Sequence, residues 1–321
     1  MGNCAEILKG HASLSKRKQK TSSQLESIRS EISGEKIFND DNLMIYAAGS
    51  LGRHEVGTHS DLDVFVISGD DEYKRLEEIR VFSKLIEIND RLKYPNFSND
   101  GQFLKIYLLP EMRKAIGAPR DDHENLFTAR MLLLLESEYL SNNMSYKKFQ
   151  KEIVSDYFRD AEDHPEFKPL FLLNDLLRYW RTLCLNYENI RHDTERAWRK
   201  KNVNLKFARM LTVYATIIPL IAGPITTMSE FMSLVKLTPL ERLAIGLDVI
   251  NDRELNDNFE VILDDYEVYL SWKENDEIEK LMMDDAYKRQ AEDAAKRFSD
   301  FLYAAIEHTK IDREMRKFLV I

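Results

Sequence analysis

Residues 44–67 (MIYAAGSLGRHEVGTHSDLDVFVI) constrain the fold of this chain more than any other stretch. The apolar run Leu43–Ala48 predicts a strand, and the Gly-Ser pair that follows it predicts a tight turn. A second run, residues 61–67, alternates Asp61 and Asp63 with apolar residues and predicts another buried strand. Because side chains at i and i+2 leave a strand on the same face, we expect the two carboxylates to point together.

Two carboxylates on one face repel each other and are costly to bury unless a cation joins them. An oxygen-only ligand set suits Mg²⁺, which proteins usually hold through one or two carboxylates and the phosphates of a substrate. The backbone N–H groups of the Gly49-Ser50 turn and the Ser50 hydroxyl are candidates for phosphate contacts. The pattern therefore predicts a site for a nucleotide and Mg²⁺, with Mn²⁺ as an alternative ion.

The order of these features resembles the signature of the nucleotidyltransferase superfamily that includes DNA polymerase beta, PII uridylyltransferases and bacterial cyclic-oligonucleotide synthases. That signature is an apolar strand, Gly-Ser or Gly-Gly, a short spacer, and then Asp-apolar-Asp-apolar. Here it is Ala48-Gly49-Ser50, followed by Ser60-Asp61-Leu62-Asp63-Val64. Arg53 and Ser60 make the motif most similar to the nucleotidyltransferases related to the N-terminal domain of the PII uridylyltransferases. Residues 174–188 (NDLLRYWRTLCLNYE) are loosely similar to the same group.

The predicted fold class is α+β, with two domains in the 321 residues. A small mixed-sheet nucleotidyltransferase domain is expected at residues 1–120 and an all-helical domain at residues 121–321. Hydrophobic periodicity predicts a third strand at residues 103–109. It also predicts helices at residues 5–35, 70–92, 126–138, 170–187, 205–218 and 277–308.

The resemblance implies a third carboxylate on a neighbouring strand, and here the sequence departs from the family. The third strand, residues 103–109, contains no acid, and the nearest is Asp100 at its start. One interpretation makes Asp100 the third metal ligand, or the base that accepts the proton of the attacking hydroxyl. The other is that Asn99-Asp100-Gly101 is only a turn, which its composition favours.

Catalysis of this kind depends on positioning and electrostatics, so basic residues are expected near the phosphates. Arg53 is the first candidate, and the resemblance adds Ser60 to the nucleotide-binding residues. The alternative for cations of the helical domain is an internal ion pair with Asp175 or Glu188. The candidates in that domain are Arg178, Arg181, Lys206 and Arg209.

The composition of the chain limits the kinds of partner that it is expected to bind. A net charge of −9 argues against general electrostatic attraction to nucleic acid. The only two cysteines, Cys4 and Cys184, predict neither a disulfide framework nor a zinc site, which fits a cytoplasmic protein. Residues 210–229 carry no charge over the length of a membrane span, but prolines and a glycine interrupt their second half. We therefore expect a buried core helix that ends in a loop, and no membrane association.

The expected reaction is transfer of a nucleoside monophosphate, AMP or UMP, from an NTP to a macromolecule, with release of pyrophosphate. The acceptor is a protein side chain or an RNA 3′ end, and the resemblance favours protein. The regulatory domains of such relatives do not fit in this chain, so a separately encoded partner protein is a further expectation. Two alternatives stay open: a cyclic-oligonucleotide synthase, and a degenerate nucleotide-binding module without catalysis.

Overall fold

The computed structural model describes residues 3–97, 101, 104–164, 166–193, 197–223, 225–275 and 277–320. Over these residues it combines many helices with one small mixed sheet, so the predicted α+β class is confirmed. The strands are β1 (Leu43–Ala47), β2 (Val64–Ser68), β3 (Ile106–Leu108) and β4 (Glu138–Tyr139).

The helices follow in chain order, with a π-helical turn at Leu205–Arg209 between the tenth and the eleventh. They are α1 (Asn3–Gly10), α2 (Ala12–Ser33), α3 (Gly49–Gly52), α4 (Arg75–Arg91), α5 (Leu109–Lys114), α6 (Pro119–His123), α7 (Leu126–Leu135), α8 (Asn143–Tyr157), α9 (Leu170–Ile190), α10 (Trp198–Asn204), α11 (Met210–Ala222), α12 (Met228–Leu234), α13 (Pro239–Ile250), α14 (Arg253–Trp272), α15 (Ile278–Leu281), α16 (Asp285–Glu307) and α17 (Arg313–Phe318).

The chain forms two compact units, whose bounds differ from the expected division at residue 120. The sheet unit is Lys16–Arg159, and the helical unit is Met1–Ser15 together with Asp160–Ile321. Helices α5 to α8 belong to the sheet unit because β4 pairs with β1 and α8 contacts β1. Helix α1 belongs to the helical unit because it contacts α13 and α14. Sequence periodicity cannot show either pairing, since both join distant segments.

The sheet has the strand order β3-β2-β1-β4. β1 runs antiparallel to β2 and β4, and β2 runs parallel to β3. One face carries Ile45, Val64 and Val66 into an apolar core that also contains residues of α2 and α4. On the other face, Tyr46 and Phe65 stack with their rings 5.2 Å apart, and the Tyr46 hydroxyl donates to the Ala129 carbonyl of α7 at 2.8 Å. Both faces of the sheet are therefore covered.

In the helical unit, α11 packs closely against α13. A Cβ on Gly246 of α13 would lie 2.9 Å from Cγ2 of Ile218, so glycine permits this approach. By length and composition, Trp198–Ala222 could cross a membrane, but 67% of its most apolar window is buried inside the protein. The helix ends at Ala222 and extended backbone follows at Gly223, as expected of a core helix that ends in a loop.

Several element bounds differ from the sequence predictions. The helix expected at residues 5–35 divides at His11, whose ring Nδ1 lies 2.8 Å from Glu267 Oε1. The helix expected at 126–138 ends at Leu135, because Glu138 pairs with Ala47 of β1 instead. The helix expected at 70–92 begins only at Arg75. The one expected at 277–308 divides into α15 and α16.

Candidate functional site

Asp61 and Asp63 lie in extended chain directly before β2 and alternate with buried residues. Leu62 and Val64 belong to the apolar core of the sheet unit. The two aspartates, like Phe65, are partly exposed. The alternation of burial thus continues beyond the strand, which is the pattern expected when both carboxylates lie on one face.

The Gly-Ser turn lies against the carboxylate of Asp63, and Gly49 makes this approach possible. The β1–β2 ladder continues one residue past the strands, since the Ala48 N–H donates to the Asp63 carbonyl at 2.9 Å. Gly49 then adopts a left-handed conformation with φ of +66°. A Cβ at this position would lie 2.5 Å from Oδ2 of Asp63. Glycine is therefore required both for the backbone conformation and for the space that the carboxylate occupies.

Ser50 and Ser60 are held by the same loop. Ser50 is mostly buried in the short helix α3, and its carbonyl accepts from the Glu55 N–H at 2.8 Å. Ser60 Oγ accepts from the Gly57 N–H at 2.9 Å and so braces the segment that leads to the aspartates. The structure thus brings Gly49, Ser50 and Asp63 together, with Ser60 in the connecting loop.

Arg53 lies in the interior of the sheet unit rather than at a phosphate site. Its Nε is 2.8 Å from Oε2 of Glu55, and its Nη1 is 2.6 Å from Oε2 of Glu136. Only 4% of the side chain of Arg53 is exposed. The expected phosphate contact is therefore replaced by a buried pairing with two carboxylates. Sequence reasoning missed both glutamates: the Gly-Arg-x-Glu spacing could have suggested Glu55, whereas Glu136 is distant in sequence.

Lys105 is a second residue that sequence reasoning missed. It precedes β3, and its Nζ lies 4.7 Å from the centre of the Tyr107 ring, on the face that carries Phe65. The Nζ donates to the Glu124 carbonyl, and burial lowers the pKa of the ammonium group. The signal was a lysine in an otherwise apolar stretch, between Leu104 and Ile106. It places a cation on the sheet face where the aspartates are expected.

The cations of the helical unit that were proposed as nucleotide ligands lie in different local environments. Arg178 Nη1 lies 3.2 Å from Oδ1 of Asp175, so the internal ion pair considered for this residue is present. Glu188 pairs with Arg191 at 3.4 Å instead. Arg181 is exposed on α9.

The other two proposed cations, Lys206 and Arg209, lie on the π-helical turn. Lys206 lines a cavity of about 210 Å³ together with Trp198 and Lys288. Arg209 is partly exposed. These two, like Arg178 and Arg181, belong to the helical unit, whereas the aspartates belong to the sheet unit.

The third carboxylate, Asp100, lies outside the described residues and stays a prediction. β3 runs parallel to β2 with Ile106 opposite Val66, so β3 starts at the end of the sheet where the aspartates lie. Within the described part of the chain, no group of three or more His, Cys, Asp or Glu side chains is arranged to hold a metal ion.

No protein-family model matches this chain, and no match is found among curated proteins.

Proposed function

We propose that this chain is a Mg²⁺-dependent nucleotidyltransferase that moves a nucleoside monophosphate from an NTP to a macromolecular acceptor. The proposal rests on one observation: the two parts of the sequence motif meet in space. Asp61 and Asp63 alternate with buried residues, and the Cβ position of Gly49 lies 2.5 Å from Oδ2 of Asp63. The antiparallel pairing of β1 and β2 brings the two parts of the motif together, and the missing Cβ of Gly49 leaves the space that Oδ2 of Asp63 occupies.

The donor set fits Mg²⁺, because two partly exposed carboxylates supply the oxygen ligands that this ion prefers. Any residue other than glycine at position 49 would place a Cβ in the space beside Oδ2 of Asp63. Asp61 and Asp63 would hold the ion, with Asp100 as the proposed third ligand. When bound, Mg²⁺ supplies positive charge that neutralises phosphate oxygens and activates the acceptor hydroxyl.

The chain's own residues have a positioning role in this proposal. The turn of Gly49 and Ser50 lies beside Asp63, where it can orient the phosphates of an NTP held by the carboxylates. Asp100 is also the candidate to accept the proton of the attacking hydroxyl. The acceptor proposed is a protein, since the net charge of −9 disfavours general attraction to nucleic acid. A cytoplasmic location and a separately encoded partner protein remain part of the proposal.

The experiment adds each α-³²P-labelled NTP with Mg²⁺ to a cell lysate that contains the protein, and follows label in macromolecules. The test variant is Asp61→Asn/Asp63→Asn, which removes both charges and keeps the side-chain shapes. A matched control is Asp71→Asn/Glu72→Gln, which neutralises two exposed acids of the same unit outside the motif. Wild type and control should label a macromolecule, and the test variant should not.

Two other outcomes would refute the proposal. Small cyclic products from protein, NTP and Mg²⁺ alone would identify a cyclic-oligonucleotide synthase. NTP binding without pyrophosphate release, and unchanged in Asp61→Asn, would identify a nucleotide-binding module without catalysis. The α-position of the label separates these results from kinase activity, which would transfer only the γ-phosphate.

A further inference from the structure

The Gly49–Gly52 turn, which is the single turn of helix α3, is held by a buried charge cluster on the side away from Asp63. We name this cluster the Arg53 clamp and define it as Arg53, Glu55 and Glu136. The side chain of Glu136 is fully buried and that of Glu55 is 4% exposed. One guanidinium contacts both carboxylates through different nitrogens, Nε and Nη1. The Arg53 N–H also donates to the Gly49 carbonyl at 3.0 Å, which links the clamp to the turn directly.

The main chain supports the turn at the same place. A Cβ on Gly52 would lie 1.9 Å from the carbonyl oxygen of Glu136 and 2.9 Å from the α-carbon of Ser137. The end of the turn therefore touches the backbone that leads into β4. Since Glu138 of β4 pairs with Ala47 of β1, this backbone is fixed to the strand that precedes the turn.

The next residue, His54, adds a third tie to the same segment. It adopts a left-handed conformation with φ of 60°, and its Nε2 lies 2.8 Å from Oε1 of Glu138. Glu138 also accepts from Arg29 Nη2 at 3.0 Å, so its carboxylate is itself held in place. Three consecutive residues, Gly52, Arg53 and His54, thus each contact residues 136–138.

Such a cluster is a costly way to gain stability. Each buried ion loses its hydration, and well-packed apolar side chains often stabilise a core as well or better. The planar guanidinium does fix the geometry of its hydrogen bonds, because its N–H groups hold two acceptors in one plane. An ammonium group on lysine is a point charge and cannot reproduce that geometry.

We propose that Arg53 is a positioning residue: the Arg53 clamp fixes the Gly49–Gly52 turn so that Gly49 stays against Asp63. Its effect on ion binding and turnover rests on the proposed function, whereas its effect on the turn does not. This role differs from the phosphate contact that the sequence suggested. It assigns the arginine of the motif to the geometry of the site rather than to the nucleotide.

The first measurement is hydrogen–deuterium exchange of Arg53→Lys, read at the amides of residues 52–55, which all donate within the turn. The matched control is Arg130→Lys. Arg130 is a fully buried arginine of the same unit that makes two hydrogen bonds to Asp121, at 2.8 and 2.7 Å. Both variants should lower the melting temperature, but only Arg53→Lys should speed exchange at residues 52–55 beyond the rest of the sheet unit. Equal exchange at these amides in the two variants would overturn the proposal.

The second measurement is the affinity for Mn²⁺ with ATP and with UTP, by electron paramagnetic resonance, together with kcat and KM for the labelled transfer. Arg53→Lys should weaken affinity or kcat by about 10–100-fold, the usual effect of removing a group that orients a metal ligand. Arg130→Lys should leave both unchanged. If wild type binds no Mn²⁺ with ATP or with UTP, the proposed function fails, and the exchange result still decides the positioning role. If Arg53→Lys does not fold, Glu136→Gln replaces it, because the amide oxygen can still accept from Arg53 while the charge is lost.

Discussion

Replacing Gly49 with alanine tests whether the glycine turn and the second aspartate form one site. Gly49 has φ of +66°, and the new Cβ would lie 2.5 Å from Oδ2 of Asp63. Gly117→Ala is a matched control, since Gly117 has φ of +76° and nothing within 4 Å of its Cβ position. Both variants impose the same left-handed strain on alanine, but only one meets a carboxylate.

The magnitudes follow from these two distances. Left-handed backbone costs alanine roughly 1–2 kcal/mol, so each variant should lower the melting temperature by a few degrees. Ordinary van der Waals contact begins near 3.4 Å, so the Asp63 oxygen must move by roughly 1 Å in Gly49→Ala. A displacement of that size at a catalytic group can reduce turnover by about 100-fold.

The assay compares Mn²⁺ binding with ATP present, and transfer of α-label, between the two variants at a temperature where both are folded. We expect Gly117→Ala to match wild type and Gly49→Ala to lose most binding and transfer. The reasoning is refuted if both variants have the same affinity for Mn²⁺ and the same transfer activity. In that case the carboxylate moves away without consequence, and the turn is not part of the site.

Two further predictions concern packing and reactivity. Gly52→Ala should cost about 3 kcal/mol of unfolding free energy, the upper end for overpacking, because its Cβ would meet the Glu136 carbonyl at 1.9 Å. Gly10→Ala, with no atom within 4 Å of its Cβ position, should cost little in the same urea titration, and equal losses would contradict this. Burial, with a smaller contribution from Asp248, raises the pKa of the Cys4 thiol to about 12, so the nucleophilic thiolate is scarce well below that pH. Iodoacetamide at pH 8 should label Cys4 only after unfolding, and rapid labelling of the native protein at this position would show that the thiol is accessible and ionised.

The β1 and β2 strands show why part of the candidate site was predictable. The alternation of Asp61 and Asp63 with Leu62 and Val64 predicts which side chains enter the core, and the burial of Leu62 and Val64 agrees with it. The orientation of Asp61 and Asp63 then follows from the geometry of extended chain, without knowledge of any partner. The positive φ of Gly49 agrees with glycine at this position, but the chain continues as the short helix α3 rather than as a tight turn.

Arg53 and Glu138 show where such reasoning stops. A charged residue beside a phosphate-binding motif has no sequence signal that separates a ligand contact from a buried ion pair. Arg53 forms a buried ion pair because the folded chain brings Oε2 of Glu136 to 2.6 Å from its Nη1. Glu138 followed an apolar helical stretch and was expected to end that helix. Pairing with β1 instead gave it a place in the sheet.

The sequence by itself determined the local features of the motif: two apolar strands, a glycine between them, and two acids that alternate with core residues. These features depend on backbone sterics and on the two-residue period of a strand, which act over a few residues. Only the tertiary structure decided which distant groups contact that motif, such as the carboxylate of Glu136 and the strand β4. Those contacts depend on how segments far apart in the chain pair and exclude water, and no pattern within a short stretch encodes that.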